Sequence, residues 1–191
     1  MYQSVVTSTK RMINKVKPPQ TNQQPGLTVA DSKRDFLTAM SRRVSSVNLV
    51  TTNGIAGLYG LTVTSMCSVS AEPPMVMIGI NRKSPLCEAI TQNHCFVINV
   101  LSVGQQHLAD CFAGFGPDGE VYDFSQASWL SGVTGSLILE NATAFFECTV
   151  ASYRDVGSHR MFIGNVLRAH HGTESALCYS ERSYKCAQSL A

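Results

Sequence analysis

A short polar segment near the middle of the chain has residue types suited to holding a phosphate group. It consists of Asn81, Arg82, Lys83 and Ser84, and Pro85 follows at once. Proline is favoured at the first position of a helix and serine at the residue before it, so the segment predicts a helix that begins at Pro85. Two cations, a hydroxyl and the free amides of a helix N-terminus can bind phosphate together. The residues leave open a second interpretation, in which Arg82 and Lys83 are solvated charges at the end of a strand.

Several residues with hydroxyl-bearing side chains precede this segment within residues 60–84. They are Thr62, Thr64, Ser65, Ser68 and Ser70. Such small side chains would let a flat ring approach the backbone, whose amides would bond the polar edge of the ring. Alternating hydroxyls are also common on the solvated face of an antiparallel sheet. We interpret residues 60–84 as one side of a cradle for a planar, phosphate-bearing cofactor.

His159 is the candidate catalytic residue. It follows Gly157 and Ser158 at the start of a predicted strand, a place where active-site residues often lie, although a lone histidine is more often structural. No metal site is predicted, because His170 and His171 lack a third ligand at suitable spacing. The chain has no P-loop, no G-x-S-x-G motif and no G-x-G-x-x-G fingerprint, so a nicotinamide cofactor would bind here without the Rossmann device.

Short apolar runs predict the elements that position these residues. Period-2 patterns and buried runs indicate strands, and capping signals indicate helices. The predicted strands are 44–50, 58–64, 67–70, 75–80, 96–101, 144–152, 160–170 and 176–179, and the predicted helices are 31–42, 85–92 and one that begins after Ser102. Residues 113–135 are interpreted as a long loop that covers part of the molecule. Short strands without regular βα alternation favour a closed or nearly closed antiparallel barrel.

Composition limits the class of protein. Of the 191 residues, 44% are hydrophobic and 15% are charged, with a net charge of +2. This balance predicts a compact domain and gives no electrostatic footprint for nucleic acid or a membrane surface. Seven cysteines without a C-x-x-C pair argue against a disulfide framework and favour a reducing cytoplasm, with most thiols buried. Residues 1–30 are expected to be a flexible leader without a secretory signal, and residues 31–191 to form one domain.

Several ordered motifs resemble one known family over about residues 33–185. They are AMSRRVSSVNLVTTNGIAGLYGLTVTSMCSVSAEPPMVMIGINRKSPL, then FVINVLS at 96–102, CFAG at 111–114, DVGSHRMFIGNV at 155–166, and Arg182-Ser-Tyr184. The family is that of the short-chain flavin reductases, the reductase components of two-component aromatic monooxygenases.

The resemblance implies a fold and an activity. The fold is the mainly β FMN-binding split barrel, antiparallel and Greek-key-like, with short flanking helices. The activity is NAD(P)H-dependent reduction of FAD or FMN by a homodimer, which releases reduced flavin to a separate flavin-dependent oxygenase; the resemblance favours FAD and NADH. One alternative is a flavin-retaining electron-transfer or sensor protein of the same fold, and another is a dimeric binding module without activity.

The resemblance also implies roles for individual residues. Around the ring and its ribityl chain it implies Thr64, Ser65, Met66, Ser68, Val69 and Ser70. Around the phosphate it implies Asn81, Lys83 and Ser84. Phe112 and Gly114 would close on the flavin, and His159 and Tyr184 would lie toward the nicotinamide. The family often has Gly-Asp-His or Gly-Thr-His where this chain has Gly157-Ser158-His159, which leaves the contribution of the middle position open.

Overall fold

The computed structural model describes residues 29–116 and 121–188. The chain divides into two compact units, Met1–Leu37 and Thr38–Ala191. In the first unit the described residues are helical and belong to α1 (Val29–Ser41). The predicted flexible leader, residues 1–30, falls almost wholly outside the described residues and stays a prediction.

The second unit is dominated by short strands. The strands are β1 (Ser45–Ser46), β2 (Asn48–Thr52), β3 (Tyr59–Val63), β4 (Met66–Ala71), β5 (Pro74–Asn81), β6 (Cys95–Val100), β7 (Trp129–Ser131), β8 (Leu137–Leu139), β9 (Ala144–Val156), β10 (His159–His171), β11 (Leu177–Ser180) and β12 (Ser183–Cys186). Two further helices are α2 (Pro85–Asn93) and α3 (Gln106–Cys111). The predicted start of α2 at Pro85 is confirmed.

Seven strands form the main sheet, in the order β3-β2-β6-β9-β10-β5-β4, and every pair in it is antiparallel. Its two outermost strands, β3 and β4, are separated in the chain only by Thr64 and Ser65. Ser65 still bonds to β5, because its carbonyl accepts from the Gly79 amide at 3.0 Å. A sheet whose first and last strands are nearly continuous must curl round on itself. The predicted antiparallel barrel is therefore confirmed.

The barrel interior is filled by the inward-facing side chains of the strands. Ile78, Ile98 and Phe162 have no exposed surface, and Leu86 and Ile90 of α2 belong to the same cluster. Helix α2 therefore covers the interior and is held in place by burial of apolar surface. None of the seven cysteines, all of which lie in the described ranges, forms a disulfide, and only Cys67 and Cys186 are exposed. The prediction that most cysteines are buried is confirmed.

The structure corrects the expectation of one long irregular loop over residues 113–135. Phe124–Gln126 forms a 3-10 turn and Trp129–Ser131 is strand β7, paired with β8. The rings of Phe124 and Trp129 pack on Phe112 at 4.9 and 6.2 Å. Strands this short carry too few residues for a period-2 pattern, so the sequence does not reveal them.

The hairpin between β9 and β10 is also longer than predicted. Strand β9 continues to Val156 and β10 begins at His159, which leaves Gly157 and Ser158 as the turn. Gly157 has a φ of +58°, a conformation that glycine adopts without a steric cost. The exposed end of β9 is polar and has no apolar alternation, so its pairing with β10 is visible only in the structure. No helix in the described ranges is long and apolar enough to cross a membrane.

Candidate functional site

One face of β3 forms the centre of the candidate site. Gly60, Thr62 and the following Thr64 share this face, because side chains alternate along a strand. The end of α3 packs against it: the Thr62 amide donates to the Phe112 carbonyl at 3.0 Å, and the Thr62 hydroxyl donates to the Ala109 carbonyl at 2.9 Å. A Cβ at position 60 would lie 2.8 Å from the Phe112 ring. Glycine at this position is therefore what allows α3 to approach the strand.

A pocket of roughly 220 Å³ lies on one side of this contact, and we call it the helix pocket. Its lining residues are Tyr59, Gly60, Leu61, Ser84, Pro85, Leu86 and Tyr122. Ser84 occupies the N-cap position of α2 with extended backbone angles, but its hydroxyl makes no capping hydrogen bond. The helix pocket thus combines apolar and aromatic walls with an unused hydroxyl at a helix N-terminus, which suits a planar group that carries a phosphate.

The two cations beside Ser84 have different surroundings. The backbone of the segment is fixed by Asn81, whose Oδ1 accepts from the Lys83 amide at 3.0 Å and whose carbonyl accepts from the Ser84 amide at 2.9 Å. Arg82 pairs with Asp155 at 3.4 Å. The Lys83 ammonium has no ion pair among residues 29–116 and 121–188. Of the two cations in the predicted phosphate segment, Lys83 is therefore the available one, and Arg82 is paired with the hairpin of β9 and β10.

His159 lies next to the predicted phosphate segment, which is residues 81–84. It is exposed, and it is the antiparallel partner of Asn81 in the pairing of β10 with β5. Its Nδ1 lies 2.9 Å from the Ser158 hydroxyl, and the Ser158 carbonyl accepts from the Arg82 amide at 3.0 Å. The serine in the middle of the Gly-Ser-His motif therefore orients the imidazole and joins the hairpin to the phosphate segment.

A second pocket, of roughly 310 Å³, lies at the other end of the same face of β3, and we call it the tyrosine pocket. It is lined by Val47, Thr62, Thr64, Asp110, Ala113, Phe115, Tyr179, Arg182, Ser183 and Tyr184. The Tyr184 hydroxyl donates to Asp110 Oδ1 at 2.7 Å. Burial, and then the bond to the Asp110 carboxylate, raise the pKa of the Tyr184 phenol above its ordinary value. The phenol is therefore neutral and fixed in orientation at physiological pH.

The remaining predicted ring-binding residues fall into two groups. The Ser65 hydroxyl donates to the Gly79 carbonyl at 2.5 Å, and Met66 packs against the barrel core. Ser68, Val69 and Ser70 lie on the outermost strand β4, where Val69 is half-exposed and occupies an irregularity in the pairing with β5. The hydroxyls of Thr62 and Ser65 thus already donate to carbonyls, and the Ser70 hydroxyl accepts from the Glu72 amide at 3.1 Å. Ser68 and Val69 are exposed and accessible to a ligand or a second chain.

Phe112 and Gly114 support the site from the end of α3. Phe112 is fully buried, so its ring offers no surface to a ligand and instead packs beneath Gly60. Gly114 has a φ of +84°, and a Cβ there would meet the Tyr122 hydroxyl at 3.0 Å. Glycine at position 114 therefore leaves room for the hydroxyl of Tyr122, a residue that lines the helix pocket.

The sequence did not identify Asp110, Tyr122 or Phe115 as site residues. For Asp110 the sequence signal is its position immediately before the Cys-Phe-Ala-Gly motif. Tyr122 and Phe115 lie in the aromatic, glycine-rich segment, residues 113–135, whose composition predicts a covering loop. His159 lines neither of the two pockets. In the described parts of the chain no group of three or more His, Cys, Asp or Glu residues could hold a metal ion.

Comparison with known proteins assigns the family. The family model described as flavin reductase like domain matches residues 40–188. This chain belongs to the flavin reductase-like family. Its fold is accordingly the flavin reductase fold, and the predicted family membership is confirmed.

Three relatives of this flavin reductase-like chain show what family members do. This chain is 36% identical to the FMN reductase (NADH) RutF of Stutzerimonas stutzeri over 153 residues. The matched residues make up 80% of this chain and 87% of that protein. BorF, the flavin reductase component of a bacterial two-component tryptophan halogenase, is 26% identical with a TM-score of 0.73 over 83% and 99% of the two chains. The NADH:FAD oxidoreductase SgcE6 of Streptomyces globisporus, solved with NAD and FAD fragments, is 25% identical with a TM-score of 0.74 over 84% and 95%.

The lining of the helix pocket fits a flavin, and Lys83 lies next to the pocket in the chain without lining it. Lys83 and the unused Ser84 hydroxyl lie at the N-terminus of α2, where a phosphate is favoured by charge and by the helix dipole. Tyr59, Leu61 and Tyr122 provide walls for a flat ring. The donor set is thus consistent with a flavin reductase in both charge and shape.

Proposed function

We propose that this protein uses NADH to reduce free flavin, with FMN as the preferred flavin, and supplies the reduced flavin to a separate flavin-dependent oxygenase. The observation that carries the proposal is Ser84, which lines the helix pocket at the start of α2 and whose hydroxyl makes no capping hydrogen bond. Its neighbour Lys83 has no ion pair among the described residues. Membership of the flavin reductase-like family also supports a flavin-reducing activity.

The choice of cofactors follows the relatives. RutF is named an FMN reductase that uses NADH, at 36% identity. SgcE6 is named an NADH:FAD oxidoreductase, at 25% identity. We therefore take NADH as the hydride donor and shift the preference from FAD to FMN.

The residues of the chain bind and orient the two substrates. The bound flavin and nicotinamide themselves supply the hydride chemistry. Lys83 and Ser84 hold the flavin phosphate, and Tyr59, Leu61 and Tyr122 confine its ring. His159, oriented by Ser158, lies beside the phosphate segment and donates or accepts a hydrogen bond on the nicotinamide side. Holding the two reactants in a fixed geometry accelerates the reaction, since it removes much of the entropic cost of their encounter. The protein then needs no catalytic acid or base of its own.

Tyr184 has a separate role in the proposal. Its phenol is held by Asp110 and faces the tyrosine pocket on the same side of β3. We assign it to the nicotinamide side with His159. His159 lines neither of these two pockets within a single chain. The assignment of His159 and Tyr184 to one nicotinamide site therefore depends on the homodimer, in which the second copy of the chain completes the site.

Exposed strands support the homodimer. Strand β4 is an outermost strand of the main sheet and is largely exposed, with Val69 half-exposed. Tyr153 on β9 and Leu167 on β10 are also about half-exposed. Long exposed strands with large apolar side chains tend to pair with another chain. Sedimentation of the purified protein is expected to give the mass of a dimer; a monomer at working concentration would contradict this part of the proposal.

A kinetic matrix tests the activity. NADH and NADPH are each combined with FMN, FAD and riboflavin in excess, and oxidation of the nicotinamide is followed by its absorbance. Repeated turnover with free FMN and NADH is the expected result. A yellow protein that keeps its flavin and does not turn over would favour the electron-transfer or sensor alternative, and a colourless protein indifferent to flavin would favour a binding module.

Transfer to an oxygenase is tested separately. The protein is placed with NADH and FMN on one side of a membrane permeable to flavin, and a flavin-dependent monooxygenase with its substrate on the other. Product formation shows that reduced flavin leaves the reductase. The absence of product, with NADH still consumed, would mean that flavin is not released for use by a partner.

A further inference from the structure

The side chain of Arg160, the residue after His159 on β10, connects β10 to β9 and to α2. Its Nε and Nη2 donate to the two carboxylate oxygens of Asp155 on β9 at 2.7 and 3.2 Å. Its Nη1 donates to the Thr91 hydroxyl on α2 at 3.0 Å, and its guanidinium lies 4.6 Å from the centre of the Tyr153 ring. Although it is charged, the side chain is only 19% exposed. An arginine held on so many sides fixes the distance between the elements it joins.

Asp155 extends this connection to the phosphate segment. The same carboxylate accepts from Arg82 at 3.4 Å, and the Arg82 amide donates to the Ser158 carbonyl. Arg82 lies between Asn81 and Lys83, the residues that precede the N-terminus of α2. The turn that carries His159 is thus joined to the phosphate segment by side-chain bonds through Asp155 and by a backbone bond through Ser158.

Arg160 and His159 act on opposite faces of β10. Successive side chains of a strand point to opposite faces. Phe162, two residues after Arg160, is fully buried in the barrel core, so Arg160 points toward the interior end of the barrel and reaches α2. His159 points the other way, on the face that it shares with its partner Asn81. Arg160 therefore touches neither the helix pocket nor the tyrosine pocket and can influence ligands only through its neighbours.

Only arginine satisfies all of these contacts at once. The planar guanidinium presents two parallel N–H groups to a carboxylate and keeps a further N–H for a third partner. A lysine ammonium would keep the charge but could not hold Asp155 in a bidentate pair while also reaching Thr91. The geometry therefore depends on the shape of the side chain as well as on its charge.

We propose that Arg160 is a positioning residue that holds the His159 turn at a fixed place relative to the N-terminus of α2, and so sets how well the nicotinamide substrate binds. The proposal rests on the proposed NADH-dependent function. It separates the two substrates: loss of Arg160 loosens the nicotinamide side while Lys83 and Ser84 still hold the flavin phosphate.

The test compares Arg160→Gln and Arg160→Lys with the matched control Arg168→Gln. Arg168 lies on the same strand, its guanidinium lies 5.3 Å from the centre of the Phe145 ring, and it forms no ion pair in the described parts of the chain. For each protein we would measure the dissociation constants of FMN and of NAD⁺, the latter on the FMN-bound protein, together with the KM for NADH, kcat and the melting temperature. Binding of NAD⁺ gives a readout that does not depend on turnover.

The expected result is a selective loss. Arg160→Gln weakens NAD⁺ binding and raises the KM for NADH about 10-fold, the size of one lost positioning hydrogen bond to a charged group, and leaves FMN binding within about twofold. Arg160→Lys restores less than about half of the lost affinity, because charge alone does not rebuild the bidentate pair. Arg168→Gln behaves like the wild type.

A second substitution protects the test against misfolding. Asp155→Asn keeps the bond from Arg160 to Thr91 but removes the carboxylate that Arg160 and Arg82 share, so it carries the same expectation as Arg160→Gln. The double variant is expected to be no worse than the poorer single variant, because both act through one contact.

Clear results would overturn the proposal. The first is an NAD⁺ affinity that is unchanged in both Arg160→Gln and Asp155→Asn. The second is a loss of FMN affinity, NAD⁺ affinity and melting temperature together in these variants. The third is an NAD⁺ affinity in Arg160→Lys equal to that of the wild type. A wild-type protein that oxidises no NADH contradicts the proposed function itself, and this is seen before any variant is compared. An active wild type with unaffected Arg160 variants contradicts only the role of Arg160.

Discussion

His159 stands directly opposite Asn81 in the antiparallel pairing of β10 with β5. This pairing places the candidate catalytic imidazole next to the segment that leads into the N-terminus of α2, although the two residues are far apart in the chain. The proposed flavin-phosphate residues directly follow β5, and the proposed nicotinamide contact begins the adjacent strand β10. Positions on adjacent strands are more exact than positions on separate loops, which suits a reaction that depends on orientation.

Replacing His159 with alanine tests the nicotinamide assignment. We expect the KM for NADH to rise about 10-fold, as for one lost hydrogen bond to a charged or polar ligand group, with FMN affinity changed less than about twofold. Steady-state kinetics with each substrate varied in turn provides the measurement. An unchanged KM and kcat for NADH would show that His159 is a surface residue without a role.

Replacing Ser158 with alanine tests whether its hydroxyl orients the imidazole. The hydroxyl lies 2.9 Å from His159 Nδ1, and a hydrogen bond of this kind contributes about 1 kcal/mol, or roughly fivefold in the KM for NADH. The effect is expected to disappear when Ser158→Ala is made in the His159→Ala background, since the two residues act together. Additive effects in the double variant would contradict the coupling.

Replacing Lys83 and Ser84 together with alanine tests the phosphate assignment. We expect FMN affinity to fall roughly 10- to 100-fold, because a charge-assisted hydrogen bond and a hydroxyl contact are lost. Riboflavin, which has no phosphate, should bind the variant and the wild type equally well in a fluorescence titration. Lys33→Ala on α1 is the control for loss of one surface charge. Equal losses for FMN and riboflavin would place the phosphate elsewhere.

Replacing Gly60 with alanine tests the contact between β3 and the end of α3. The added Cβ would lie 2.8 Å from the Phe112 ring and 3.0 Å from the Phe124 ring. Overpacking of this kind costs about 1–3 kcal/mol, and each kcal/mol lowers the melting temperature of a domain this size by about 2–4 °C. Gly104→Ala is the matched control, since a Cβ there meets nothing within 4 Å. Equal melting temperatures for the two variants would contradict the packing.

The Asp155 pairs predict how stability depends on pH. The hydrogen bond from Arg160, followed by weaker contributions from Arg82, holds the pKa of the Asp155 carboxyl below its ordinary value of 3.8. A lowered pKa in the folded state means that the stabilisation is present above the unfolded pKa and is lost as the pH falls through the folded one. The melting temperature of Asp155→Asn should therefore be below that of the wild type at neutral pH, and the difference should shrink below about pH 4. A difference that is constant down to strongly acid pH would contradict this.

Local patterns determined much of this protein. Proline has a fixed φ that suits the first turn of a helix, so the start of α2 was predictable from Ser84 and Pro85. The apolar run at 75–80 predicted β5, because a strand buried on both faces needs no polar positions. Short strands without crossover helices predicted the barrel, and the ordered motifs predicted the family.

The tertiary structure decided which of the predicted residues are available for chemistry. Arg82 and Lys83 are adjacent cations in the sequence, but Arg82 is paired with Asp155 from β9 while Lys83 remains unpaired among the described residues. Tyr184 is fixed by Asp110, and His159 lies opposite Asn81. Each of these partners comes from a distant part of the chain. The register between such strands is set by the burial of their apolar faces in a common core, which no local pattern records.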